Sequence, residues 1–375
     1  MHAHQHIIRN KQAVPELDSN AYDLAFIFGS RNLIQDTEWI RSIIKNLAPV
    51  KCVTATTAGE IVNSEVLDDT LVITLIKFDK THINTSSVHI RDYTDSYEAG
   101  RALIEKIIGE DLCHVLVLSD GTLVNGSELV RGMNASLPAG VGLTGGLAGD
   151  GSRFEKTLVG AGEDIRPGNI VAVGFYGHNL LVGHGCKGGW DSFGPDRKIT
   201  RAKDNVLYEL DGRSALALYK EYLGELAEGL PGSALLFPLA IKNENSQEQV
   251  VRTILGINEA ENSMTFAGNI PQGGYARLMR ANFDRLIDAA SVAANDTYQH
   301  LSKHRPQLAI LISCVGRKLV LDQRVDEEIE SVSDILGNET VFCGFYSYGE
   351  ISPLVKSMTC ELHNQTMTIT TFCEV

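Results

Sequence analysis

Tyr22-Asp23-Leu24-Ala25-Phe26-Ile27-Phe28-Gly29 is a short apolar run that stops at a glycine, the pattern of a strand buried on both faces. Residues 36–47 then place Trp39, Ile40, Ile43, Ile44 and Leu47 on one face of a helix that Asp36 can cap. A second strand at 51–56 runs into Thr57-Ala58-Gly59-Glu60-Ile61. The same plan returns far downstream. Ala309-Ile310-Leu311-Ile312-Ser313-Cys314 leads through a helix at 325–336 and a strand at 341–348 to Gly349-Glu350-Ile351. A third version starts at His114. Its strand ends in Ser119-Asp120-Gly121, a helix covers 127–137, and Thr144-Gly145-Gly146 closes it. These passages predict an α/β protein: mixed sheets with helices on the faces, in two portions with a repeated strand-helix-strand plan. Ligands commonly dock at strand ends in such sheets. The alternative is that glycine only turns the chain there.

Working outward, residues 71–78 and 83–90 read as antiparallel strands, 96–108 as a helix, and 170–175 and 180–184 as strands closing the first portion. The middle is distinct. Asp211-Gly212 opens a helix, strands are predicted at 235–241, 250–256 and 264–266, and a long helix over 278–301. The end reads as a β-hairpin, 356–362 and 366–372, about His363-Asn364-Gln365. The first 20 residues are polar and predicted to be a flexible N-terminus. The divisions are therefore 1–20, 21–200 and 201–375.

The 375 residues carry 33 Lys plus Arg against 47 Asp plus Glu, a formal charge of −14. With no basic stripe, that balance argues against a nucleic-acid partner. No apolar run approaches the roughly 18 residues of a membrane span. The start has no apolar signal region, so a cytoplasmic protein without membrane insertion is expected. Seven cysteines are dispersed without a Cys-x-x-Cys pair, which speaks against a zinc knuckle or redox dithiol. His2, His4 and His6 either bind a metal adventitiously or sit in a mobile polar terminus.

Gly142-x-x-Gly145-Gly146-x-x-Gly149 lacks both the G-x-G-x-x-G register and a Lys-Ser/Thr ending. A P-loop is excluded and a dinucleotide fingerprint unsupported. Either this stretch wraps a small ligand, with Asp150 as an acceptor, or it is a tight loop. Ser119-Asp120-Gly121 is not a Gly-x-Ser-x-Gly elbow. Cys314 precedes Gly316 and Arg317, so a neighbouring cation could activate its thiol; a buried structural thiol is the other reading. Arg317 could instead clamp a carboxylate. His184 and Cys186 lie in Gly183-His184-Gly185-Cys186-Lys187-Gly188-Gly189-Trp190, where either could ligate a haem iron. His363 suits a turn, and His114 a satisfied core position.

Several motifs together resemble the FIST sensory proteins, with both N-terminal and C-terminal portions. They are Thr57-Ala58-Gly59-Glu60-Ile61, Gly145-Gly146-Leu147-Ala148-Gly149-Asp150-Gly151, Gly268-Asn269-Ile270-Pro271, Cys314-Val315-Gly316-Arg317, Gly344-Phe345-Tyr346-Ser347-Tyr348-Gly349-Glu350 and Leu362-His363-Asn364-Gln365. The resemblance spans about residues 20–375. It implies a small-ligand sensor of bacterial signal transduction rather than an enzyme. The NosP-type branch of that family implies haem b, nitric oxide as signal, His184 as candidate iron ligand, and a separate histidine kinase or cyclic-di-GMP enzyme as partner. The alternative is a haem-free receptor for an amino acid or similar molecule. There, Arg252 or Arg317 holds a carboxylate and Asp150 or Glu350 an ammonium. The expected ligand-binding set is Gly145, Gly146, Gly149, Asp150, Arg252, Cys314, Gly316, Arg317, Tyr346, Tyr348 and Glu350. A hydrolase or transferase using Cys314 or Ser119 is the competitor from another class.

Overall fold

The computed structural model describes residues 1–11, 21–244, 248–302, 304–354 and 359–375. Its frame is one unit repeated three times. Each unit holds a parallel pair joined through helix: Leu24–Gly29 with Lys51–Thr56, Leu112–Ser119 with Gly142–Leu147, and Leu308–Cys314 with Val341–Ser347. The first strand of each pair takes an antiparallel neighbour, respectively Leu71–Lys77, Asn169–Tyr176 and Met367–Glu374. Outside those lie His2–Ile8, His82–His89 and Leu180–Lys187. Strands Leu24–Gly29 and Leu308–Cys314 are buried at every residue, because helices cover one face of the sheets and the other units cover the opposite face.

The units interlock by exchanging hairpins. The first unit's hairpin, Glu60–Val62 with Glu65–Leu67, extends the third unit's sheet. The third unit's hairpin, Gly349–Pro353 with Cys360–His363, extends the second. The second unit's hairpin, Val159–Ala161 with Asp164–Arg166, extends the first. Three six-stranded sheets of matching order result. A fourth, eight-stranded sheet and helix Ala215–Leu223 are inserted in the third unit, between Leu180–Lys187 and helix Phe283–His300.

The three-unit plan corrects several readings made from sequence. Residue 200 falls inside strand Asp191–Lys203, and strands from both sides of that division share sheets. His2–Ile8 is an ordered edge strand in seven-residue register with Leu71–Lys77, not a loose terminus; residues 12–20 lie outside the described residues. The strands near 71–78 and 83–90 belong to different sheets. The closing hairpin is absent too: Cys360–His363 pairs with Gly349–Pro353, whereas Met367–Glu374 pairs with two other strands. Its expected start at 356–358 is outside the described residues. Asn364-Gln365 is thus a crossing between sheets, and a turn pattern cannot tell that from a hairpin. The long helix begins at Phe283, capped by Asn282, after strand Tyr275–Arg280. Alternating burial at Ala276 and Leu278 reveals that strand.

Candidate functional site

At the pseudo-threefold centre the second strands end against one another. The Ala58 N–H donates to Tyr346 O at 2.8 Å, Tyr348 N–H to Leu147 O at 3.1 Å, and Gly149 N–H to Thr56 O at 3.0 Å. This closes a ring that joins the units in order. The glycines expected to rim a pocket instead permit this packing. A Cβ on Gly145 would lie 1.9 Å from Val117 O, and one on Gly344 1.9 Å from Leu311 O. Gly146 and Gly149 are buried in the same joint, and Gly316 faces the Gln365 amide.

The acidic candidates at the centre are saturated by the protein. Glu350 accepts from the Ser347 hydroxyl at 2.6 Å and from Thr366 N–H and hydroxyl at 3.2 and 2.8 Å. Glu60 is its counterpart, accepting from the Thr57 hydroxyl and from Thr70 N–H and hydroxyl. Burial pushes Glu350 up to about 8 and Glu60 up to about 7. The second unit departs from this pattern. Asp150 accepts from Arg31 at 2.8 Å, from the Tyr348 hydroxyl, and from the N–H groups of Glu155 and Lys156.

Arg317 is fully buried and every nitrogen donates: to Glu328, Gly188 O, Leu286 O and Gln365 O. The Tyr346 hydroxyl donates to the same Glu328 at 2.8 Å. Arg317 is therefore a structural cation here, with no nitrogen left to clamp a ligand. The Cys314 thiol is buried and burial pushes it up, the opposite of an activated nucleophile. Ser119 Oγ donates to Asp120 O.

Of the expected ligand-binding residues, Arg252 borders a large cavity. This cleft, of about 590 Å³, lies between helix Gly126–Ser136 and the inserted sheet. Arg252 stands on strand Gln249–Arg252. Its Nη1 donates to Leu362 O at 2.6 Å, its Nε to Asn269 O at 3.5 Å, and Nη2 lies 3.5 Å from Glu361. Burial draws its guanidinium down from its ordinary value, opposed by Glu361. Asn269 ties the inserted sheet to the helix, donating to Glu128 at 2.9 Å and to the Ser127 hydroxyl at 3.2 Å. Glu128, Arg131 and Asn134 line the helix side. Reading single motifs misses them, yet their i, i+3, i+6 spacing is a polar stripe legible on that helix. The cleft wall thus carries both signs of charge and three Asn side chains, Asn134, Asn243 and Asn269, among apolar residues such as Val130 and Ile270. Such a mixture orients a small polar ligand.

The FIST N domain description matches residues 23–213, and the FIST C domain description matches residues 215–353. The chain belongs to the FIST family. FIST domains are small-ligand sensing domains of signal transduction. A protein of Methanocaldococcus jannaschii described as uncharacterized is 26% identical over 239 residues, covering 59% of this chain and 42% of its own length. The chain thus spans less than half of that relative. A solved structure of cyanuric acid hydrolase from A. caulinodans superposes with a TM-score of 0.40 and 8% identity, covering 100% of this chain and 99% of that one.

In this FIST chain His184 is remote from the large cleft. It borders a cavity of about 260 Å³ with Cys186, Lys187, Asp296, Gln299 and His300. Its ring stacks on His300 at 4.6 Å. Burial and His300 push it down to about 4, so the imidazole is neutral at pH 7. Pro353 is the one apolar side chain of any bulk on that wall. A haem macrocycle needs broad apolar walls; this cavity supplies few by itself, and the adjoining one supplies Trp190, Val250, Val251 and Met279. Among the described residues no group of three or more His, Cys, Asp or Glu is placed to hold a metal ion, and no helix is long and apolar enough to cross a membrane.

Proposed function

We propose that this FIST protein is a sensor that binds a haem-free, small zwitterionic ligand, such as an amino acid, in the cleft between helix Gly126–Ser136 and the inserted sheet. The observation that carries this is the 590 Å³ space bordered by Arg252 and Arg131 together with Glu128 and Glu361. A carboxylate is held best by a guanidinium fork and an ammonium by carboxylates. Asn134 and Asn269 supply further donors and acceptors. Ligand closing on the cleft bridges the inserted sheet and the second unit. It therefore favours whichever arrangement of the two it contacts more fully. The role is binding rather than catalysis: Cys314 is buried with its thiol pushed up, and Ser119 bonds to a backbone carbonyl. Output runs to a separate signalling protein in the cytoplasm, a histidine kinase or cyclic-di-GMP enzyme.

A thermal-shift screen of free amino acids tests this. A ligand at 100 times its Kd stabilises the native state by about 2.7 kcal/mol, and Arg252→Lys reduces the shift by losing the planar fork. Silence of free amino acids and of short peptides alike overturns the reading. Reconstitution with haemin separates the other branch. A one-to-one Soret band that disappears in His184→Ala replaces the cleft reading with haem sensing.

A further inference from the structure

Three cavities adjoin in a row, each sharing lining residues with the next. The 590 Å³ cleft shares Glu248, Val250 and Leu354 with a cavity of about 370 Å³, which shares Cys186, Lys187 and Pro353 with the 260 Å³ cavity beside His184. Single drug-sized ligands occupy pockets of roughly 300–1,000 Å³. The joined groove exceeds that range and is elongated.

The 370 Å³ cavity is walled by sheet edges. Gln249–Arg252 is the terminal strand of the inserted sheet and, among the described residues, pairs only with Leu239–Lys242. Leu180–Lys187 is the terminal strand of the third unit's sheet and pairs only with Met367–Glu374. Side chains alternate between faces along a strand, so a cavity on a sheet face is lined by every second residue. Here the lining is consecutive: Gln249, Val250 and Val251 on one side, Cys186 and Lys187 running on into Gly188, Gly189 and Trp190 on the other. That stretch of the groove therefore lies along the edges themselves, where no further strand pairs among the described residues and backbone N–H and C=O groups point outward. In the 590 Å³ cleft the chain instead presents alternate residues, Glu248, Val250 and Arg252, as a sheet face does.

We propose that the groove takes an extended peptide of about four residues, paired by main-chain hydrogen bonds along the edge of Gln249–Arg252. This rests on the cleft being the ligand site and names the class of ligand that fills it. Four strand residues span about 13 Å, matching the length of that edge. Backbone pairing supplies affinity, and alternate side chains enter the cavities on either side. The wall's cations are already paired with its carboxylates, Arg131 with Glu128, Arg252 with Glu361 and Lys187 with Asp296, and so offer an acidic peptide little. The peptide is therefore basic or neutral rather than acidic.

The test uses the full chain with acetyl-Lys-Val-Lys-Val-amide, two analogues N-methylated at residues 1 and 3 or at 2 and 4, the acidic peptide acetyl-Glu-Val-Glu-Val-amide, and free lysine and valine. Calorimetry is expected to show the basic peptide binding at least tenfold more tightly than the acidic one. At least one N-methylated analogue is expected to bind at least tenfold more weakly. Hydrogen exchange is expected to slow over 249–252 when the peptide is present. Equal binding by the parent and both analogues, or protection confined to other segments, overturns edge pairing. Binding of free amino acids without binding of any peptide overturns this inference and leaves the cleft as a small-ligand site. Silence of every probe overturns both.

Discussion

At the centre of the molecule Arg317 is enclosed by protein on every nitrogen; at the cleft Arg252 is almost as buried, 3% exposed, yet borders a 590 Å³ space. The two arginines looked interchangeable as carboxylate clamps. A buried cation must be fully paired, and the difference lies in what pairs it. At the centre Glu328 and three backbone carbonyls do so. At the cleft Leu362 O does so at 2.6 Å and Asn269 O and Glu361 only at 3.5 Å, while Arg252 also lines the cavity. The centre is the joint of three interlocked units, and the cleft is where an inserted sheet meets one of them.

Three substitutions sharpen or break this contrast. Glu328→Ala leaves the Arg317 guanidinium buried without its counter-charge and is expected to cost about 3–5 kcal/mol, read by urea denaturation. A loss under about 1 kcal/mol would mean that the centre is open to water. Glu350→Gln has a smaller effect that depends on pH. The folded protein keeps this proton up to about pH 8, whereas the unfolded chain releases it near 4.5. The stabilisation is fully present below pH 4.5 and is lost as pH rises through 8. It amounts to on the order of a few kcal/mol. The variant is expected to flatten the fall in Tm across that window. An unchanged slope would place the titration elsewhere, with Glu60 the next group to replace. Arg131→Ala, on the exposed rim of the cleft, is expected to change stability by less than about 0.5 kcal/mol. It should nonetheless weaken ligand-induced stabilisation in the thermal-shift assay. A loss of fold stability instead would make the cleft as structural as the centre.

The acid pair Glu60 and Glu350 shows how far local reading reaches. Their shared Gly-Glu-Ile context is visible in sequence, and their matching hydroxyl partners confirm that the repeat is structural. The third copy breaks the rule, with Asp150 held by Arg31 and Tyr348 from the other two units. Nothing in the local sequence around Asp150 indicates partners 119 and 198 residues away. The same distance hid the hairpin exchange, since a strand's own pattern says that it pairs but not with what. Of the two readings of Cys314, the buried structural thiol holds over the activated one for a related reason. A cation three residues on suggested an active thiol, but Arg317 turns to Glu328 and burial dominates.

By itself the sequence determined most of the buried strands, the helix capped by Asp36, the threefold echo and the FIST membership. All of these rest on short-range periodicity or on ordered motifs. Only the tertiary structure decided that the glycine-rich strand ends pack into a closed joint rather than rim a pocket. It also decided that Arg317 is consumed by the fold, and that the open space lies along sheet edges beside Arg252. Pairing, burial and cavity are properties of contacts between distant segments. A residue's type states which partners it needs, and the fold determines whether protein or ligand provides them.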